Sequence, residues 1–219
     1  MRFVEAIRRS DEVARNDPGR IYADDPIFNR VFAQSGADTT QYDRLYTLVQ
    51  LLKLVEHLDG AAIECGAYRG ASAFVMMKMA LQGSRRTLHV CDSGKGLSKP
   101  GPKDGQRWRG GEFSDDNHEL ISRLTERRGT VCYHMGWIPE SFENIADEVF
   151  AFIHLDVDLY QPTLDSCRWL YSQLHVGGVL VCDDYGFDTC PGARLAMDEY
   201  FGAGNIVELP TGQGFVVKR

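Results

Sequence analysis

The chain has 219 residues, of which 43% are hydrophobic, enough for one domain with a sizeable core. Its net charge of −7, with no long basic run, argues against a general nucleic-acid binder. No stretch approaches the roughly 20 apolar residues of a membrane span, and the charged segment Met1 to Arg9 lacks the apolar stretch of a secretory signal. The expectation is a cytoplasmic protein with neither nucleic acid nor membrane as partner.

Residues 1–38 are polar and irregular, with a turn at Asp17-Pro18-Gly19, and read as an N-terminal arm, peripheral or made of short helices. The remainder, 39–219, reads as one domain. Leu45, Leu48, Val49, Leu52 and Val55 recur at three-to-four spacing and predict a helix over 40–58, capped by Asp38 or Thr39. Strands then alternate with helices. Strands are expected near 61–65, 87–91, 130–134, 149–155 and 178–182, and helices near 71–82, 114–127, 162–174 and 191–201. Two short strands, near 205–209 and 214–218, surround Pro210-Thr211-Gly212. Repeated strand–helix units predict an α/β fold with a doubly wound, mostly parallel, seven-stranded sheet and a C-terminal antiparallel strand.

The segment 93–113 carries Gly94, Gly96, Gly101, Gly105, Gly110 and Gly111 with Pro100 and Pro102, and reads as low in order. It is either a solvated surface loop or a lid. As a lid, its Lys95, Lys99, Lys103, Arg107 and Arg109, against Asp104 and Glu112, favour anionic substrates. The six cysteines, Cys65, Cys91, Cys132, Cys167, Cys182 and Cys190, form no C-x-x-C pair. They read as free, mostly buried thiols, without the spacing of a zinc site. His134 and His154 fall at or in strands and read as hydrogen-bonded core residues; His118 falls on an expected helix and reads as solvated.

Two apolar runs end in acids. Phe150 to Leu155 leads into Asp156-Val157-Asp158, and Val179 to Cys182 into Asp183-Asp184. Both read as strands buried on two faces, and ligands of open α/β sheets bind beyond the carboxyl ends of the strands. Asp156, Asp158, Asp183 and Asp184 therefore share an edge of one crevice. Crowded carboxylates raise each other's pKa, and a divalent cation with oxygen ligands, Mg²⁺, Ca²⁺ or Mn²⁺, would hold them ionised. Asp158 reads as a general base, or else as a cap of the helix that follows.

The first strand of the alternation ends in Glu64-Cys65-Gly66-Ala67-Tyr68-Arg69-Gly70 and opens a helix. This is not the dinucleotide fingerprint G-x-G-x-x-G. A carboxylate at Glu64 would repel a pyrophosphate and suit a cationic ligand such as S-adenosylmethionine. Asp92, at the end of the second strand, stands where ribose hydroxyls are received in nucleoside-binding α/β folds.

These blocks, with Asp92-Ser93, Gly96-Leu97 and Gly136-Trp137-Ile138-Pro139, resemble the macrocin O-methyltransferase type of metal-dependent class I methyltransferases, which act on sugar hydroxyls of natural products. The similarity runs over about 40–218. The resemblance implies a Rossmann-like fold, S-adenosylmethionine as methyl donor, a small-molecule hydroxyl acceptor and a homo-oligomer. It implies cofactor contacts at Thr40, Glu64, Gly66, Ala67, Tyr68, Gly70, Asp92, Ser93, Gly136, Trp137 and Asp156. It also implies Mg²⁺ (or another divalent cation) on Asp156, Asp183 and Asp184, with Asp158 as general base. The chain departs from the family's usual Asp-Ser-Phe-Glu-Gly-Leu, having Asp92-Ser93-Gly94-Lys95-Gly96-Leu97. The competing readings are a metal-dependent hydrolase or phosphoryl-transfer enzyme, and a non-catalytic cofactor-binding protein of the same fold.

Overall fold

The computed structural model describes residues 21–37, 41–81, 86–115 and 131–219. The expected helix over 114–127, His118, the capping residues Asp38 and Thr39, and Thr40 lie almost wholly or wholly outside these residues.

The chain opens with α1 (Pro26–Ser35) and α2 (Tyr42–Leu54). Then come β1 (Ala61–Cys65), α3 (Ala71–Met79), β2 (Leu88–Asp92) and β3 (Val131–Met135). After these follow β4 (Phe150–Leu155), α4 (Tyr160–Gln173), β5 (Leu174–Cys182) and α5 (Pro191–Phe201). A short β6 (Val207–Glu208) and β7 (Gly214–Val217) follow. The seven strands lie in the order β3-β2-β1-β4-β5-β7-β6. β3, β2, β1, β4 and β5 pair in parallel, and β7 runs antiparallel to both β5 and β6. The direction of the sheet order reverses between β1 and β4, the switch point at which such sheets open a crevice.

β1 and β4 are buried along their whole length because helices cover both faces of the sheet. On one face Ala62, Phe152 and Val181 meet Leu45, Leu48, Leu52, Val75 and Met76 of α2 and α3. On the other, Ile63, Ile153 and Leu180 meet Cys167, Leu170 and Met197 of α4 and α5. Short helices are present within the expected arm, but α1 is not peripheral. Asp25 caps it, accepting hydrogen bonds from Ile27 N and Phe28 N, and Pro26 presets its first turn. Phe28 is fully buried, edge-on to Tyr42 and Tyr46. All six cysteines are free and only Cys132 is exposed.

The segment 93–113, expected to be low in order, is irregular but tied down. Leu97 and Glu112 pair through their backbones, and Gly111 N bonds Leu97 O. Asp104, only 4% exposed, accepts hydrogen bonds from Gly101 N at 2.6 Å and from Tyr160 N at 2.6 Å. The second bond satisfies a free donor at the start of α4 and places a carboxylate at the positive end of that helix. Gly192 leaves room for this tie, since a Cβ there would strike Asp104 Oδ1. Two of its five basic side chains are engaged by acids: Lys103 pairs with Glu199, and Arg107 with Glu112.

Asp104→Ala is expected to cost about 1–2 kcal/mol, the usual loss for a helix-capping acid. Urea denaturation checks this, and limited proteolysis should show cleavage within 93–113 in the variant before the parent protein.

Candidate functional site

At the carboxyl ends of β1, β2 and β4 lies a cleft of about 580 Å³, within the size range of small-molecule sites. Its floor is made by two turns in backbone contact. Gly66 N bonds Cys91 O, and Asp156 N bonds Cys65 O at 2.8 Å. Gly66 sits at φ +81°, and a Cβ there would overlap Asp156 O. Only glycine permits this approach, which sets Asp156 beside the turn after β1.

Asp92 organises that turn. Its Oδ2 accepts from Ala67 N at 2.7 Å and Tyr68 N at 3.0 Å, and its Oδ1 accepts from Gly94 N at 2.7 Å. Asp92 also lines the cleft, with Gly66, Ala67, Tyr68, Ser93, Gly136, Trp137 and Asp156. Trp137 keeps 40% of its surface exposed, a large flat apolar face. Tyr68, Phe113 and Trp108 also line the cleft, with Tyr68 edge to face on Phe113 and Trp108 tilted against the same ring.

Two residues expected at the cofactor do not line the cleft. Gly70 is the left-handed residue that starts α3. Glu64 is fully buried beneath the floor, because it shares a sheet face with Ala62 and points into the core side. Its Oε1 lies 3.0 Å from His154 Nδ1. His154 Nε2 in turn lies 3.3 Å from Asp183 Oδ1, close but not aligned for a hydrogen bond. His154 is thus the core histidine anticipated, held between two buried acids. His134 is remote from the cleft; it stacks on His89, with its Nε2 2.9 Å from His89 Nδ1. Burial holds both rings below the usual histidine pKa.

The four aspartates do converge, in two adjoining groups. One ligand atom each of His154, Asp156 and Asp183 lie within 4.8 Å of one another, as do those of Asp158, Asp184 and Cys190. Asp183 is fully buried and accepts a 2.6 Å hydrogen bond from Gln213. Arg44 bridges the groups. Its Nη2 contacts the Asp183 carboxylate, donates to Asp183 O at 3.2 Å and lies 3.3 Å from Asp184 Oδ1. Burial, followed by the charge of Asp184, pushes the Asp156 carboxyl well above the usual carboxylate range. Burial, Asp184 and Asp156 do the same to Asp158.

Asp158 occupies a left-handed conformation, φ +56°, which aspartate tolerates better than most residues. Its N–H donates to Asp184 Oδ2, and the Cys190 thiol, 3.5 Å away, donates to its Oδ1. Trp108 Nε1 donates to the same sulfur at 3.3 Å. Burial pushes the Cys190 pKa up to about 12, so the group stays a thiol. Asp158 does not cap α4, since Asp104 fills that place. Arg44, Gln213, Cys190 and Trp108 were not singled out from the sequence. Arg44 sits beside Asp43 in the first turn of α2 and looks like a solvated helix position; no local pattern marks it.

A doubly wound sheet of this strand order, with an acid-organised glycine turn opening its cleft, has the fold of the class I methyltransferases. Residues 32–210 match the macrocin-O-methyltransferase (TylF) family, and the chain belongs to it. It is 28% identical over 162 residues to the 8-demethyl-8-(2,3-dimethoxy-alpha-L-rhamnosyl)-tetracenomycin-C 4'-O-methyltransferase of Streptomyces olivaceus, covering 68% of this chain and 60% of that one. It is 28% identical over 160 residues to the demethyldecarbamoylnovobiocin O-methyltransferase of Streptomyces niveus, covering 66% and 59%. The chain thus spans about 60% of the length of the curated relatives it matches. CalS11, a calicheamicin methyltransferase, shares the fold at TM-score 0.74 and 17% identity, over 98% of this chain and 91% of that one.

The raised carboxyl pKa values of Asp156 and Asp158 have a consequence for stability. A group whose pKa is higher folded than unfolded stabilises the protein below its unfolded pKa, and that contribution is lost as pH rises through the folded value. In chelator, the melting temperature is therefore expected to fall as pH climbs from the ordinary carboxylate range through neutrality. Asp158→Asn should flatten the fall and gain roughly 1 kcal/mol or more on the alkaline side, since a tenfold change in proton affinity is worth about 1.4 kcal/mol. Thermal denaturation across pH checks both.

Proposed function

We propose that this chain transfers a methyl group from S-adenosylmethionine to a hydroxyl of a sugar or related natural-product acceptor, aided by a divalent cation such as Mg²⁺. The observation that carries the reading is the sharing of one cleft by the turn that Asp92 organises and the carboxylates Asp156, Asp158 and Asp184. Membership of the macrocin-O-methyltransferase family supports it.

Asp92, Gly66 to Tyr68, Ser93 and Trp137 form the nucleoside end of the cleft in this reading. Asp92 retains acceptor capacity for ribose hydroxyls, since a carboxylate offers about four lone-pair sites. Trp137 offers a face for an adenine ring. A phosphate-bearing ligand is disfavoured at this turn for a specific reason. The amides of Ala67 and Tyr68, which would cradle a phosphate, are already taken by Asp92. This weighs against the hydrolase and phosphoryl-transfer alternative, now that Glu64 lies too deep to do so.

The acid cluster fits a hard divalent cation. Asp156, Asp183 and Asp184 offer only oxygen, the donor set such a cation prefers, and the buried Asp183 Oδ2 has a positive group, the Arg44 guanidinium, against it. Bound there, the cation would lower the pKa of an acceptor hydroxyl and fix its orientation. Asp158 faces the same cleft, its backbone N–H held by Asp184 and its carboxylate by the Cys190 thiol, and in this reading is the group that takes the hydroxyl proton. Its environment already favours holding a proton, as a general base requires. Phe187, Trp108 and Phe113 give the cleft apolar lining, which would favour exclusion of water when an acceptor is bound.

Activity should require a divalent cation, with loss of turnover in EDTA and recovery on adding Mg²⁺. Asp158→Asn is expected to lower the methylation rate by roughly 10²–10⁴, the usual contribution of a positioned base, and to abolish the rise of rate with pH while leaving cofactor affinity intact. Single-turnover assays with radiolabelled S-adenosylmethionine check this; an unchanged rate would remove Asp158 from the chemistry. Asp92→Ala should weaken the cofactor by about 1.5–3 kcal/mol, the range for hydrogen bonds to a charged group, measured by calorimetry.

A further inference from the structure

We propose that Arg44 is the built-in counter-cation of the acid cluster, and that it competes with the divalent ion for the place where Asp183 and Asp184 converge. The inference rests on the reading that Asp156, Asp183 and Asp184 take such an ion. The geometry is specific. Among the described residues, one nitrogen of the guanidinium, Nη2, makes all its polar contacts: the Asp183 carboxylate, the Asp183 carbonyl and Asp184 Oδ1. Arginine stays charged at any working pH. It therefore supplies a permanent positive charge at the seam between the two groups of ligand atoms, one holding Asp183 and the other Asp184.

The surroundings hold the side chain there. The guanidinium lies over the Phe187 ring, with Cζ 4.8 Å from its centroid. Gln213 Nε2 donates to both Arg44 O and Asp183 Oδ1, fastening the start of α2 to the acid it neutralises. Yet the pairing is not the bidentate fork that guanidinium and carboxylate form at their strongest. Arg44 Nε is buried with no hydrogen-bond partner. An incompletely satisfied arginine is held by charge more than by fit, so a better-matched cation can displace it. One ion held by Asp183 and Asp184 together needs the position that Nη2 fills, and two cations at that separation repel strongly in a low-dielectric site. Arg44 also lines the cleft, so the displaced guanidinium has open space to enter.

The test is Mn²⁺ binding, followed by electron paramagnetic resonance of the free ion, to the parent protein, Arg44→Gln and Arg44→Lys without acceptor. Arg44→Gln is expected to bind Mn²⁺ roughly tenfold more tightly, equivalent to about 1.4 kcal/mol. Its melting temperature without metal should fall, and Mn²⁺ should restore it. Arg44→Lys keeps the charge on a flexible stem that can retreat to water, so its affinity should lie between the two. Mn²⁺ affinity in folded Arg44→Gln that equals or falls below that of the parent would overturn the competition. Should that variant not fold even with Mn²⁺, unchanged or weaker affinity in Arg44→Lys overturns it as well. Absence of Mn²⁺ binding by all three proteins would overturn the cation reading itself, a result distinct from equal binding by all three.

Discussion

The organisation of this protein turns on crowded negative charge at the carboxyl edge of three adjacent strands. β1, β4 and β5 deliver Glu64, Asp156, Asp158, Asp183 and Asp184 to one side of the sheet, and Glu64 and Asp183 are fully buried there. Isolated buried carboxylates are too costly to persist ionised, so each must find a partner or keep its proton. His154 stands between Glu64 and Asp183, and Arg44 reaches in from α2. The reach of Arg44 from α2 and the seating of Gln213, beside β7, against Asp183 both serve this demand. In the proposed reading, the same crowding of carboxylates is what a divalent cation would meet.

A second set of contacts ties the segment 93–113 to the proposed base from two directions. Asp104 fixes the start of α4, directly after the turn that carries Asp158. Trp108 donates to the Cys190 sulfur, whose thiol donates to Asp158. Sequence composition alone suggested a segment low in order, a lid or a solvated loop, since its glycines and prolines lack periodicity. What the composition could not convey is that one buried aspartate and one indole convert those turns into part of the site wall.

The sheet was legible because its central strands are continuous apolar runs separated by helical periodicity, a pattern that few other folds produce. The aspartates were legible for the same reason: acids just past buried strands lie at the ligand-binding edge, where Asp156, Asp158 and Asp184 line the cleft and Asp183 stays buried behind them. Glu64 shows the limit of that logic. It lies within β1, where side chains alternate between faces, and the face it takes is set by the register of β1 against β4 rather than by its neighbours in sequence. Arg44, Gln213 and Asp104 were invisible for another reason. Each acts on a partner far along the chain, and its own sequence context reads as an ordinary helix surface or loop. The helix expected over 162–174 starts two residues earlier, at Tyr160, whose backbone N–H donates to Asp104.

Gln213 joins elements that stand 169 residues apart, since one amide nitrogen serves both Arg44 O and Asp183 Oδ1. Closing a loop of that length comes at an entropic cost that only late, cooperative contacts recover. The parallel core of β1, β2 and β4 can form from nearer neighbours, but the acid cluster acquires its amide donor only when the C-terminal hairpin has docked against α2. In the proposed reading, the place for a cation is complete only once that hairpin has docked. In refolding, the proposed ion affinity would then return after helix and sheet content, timing the docking of the hairpin.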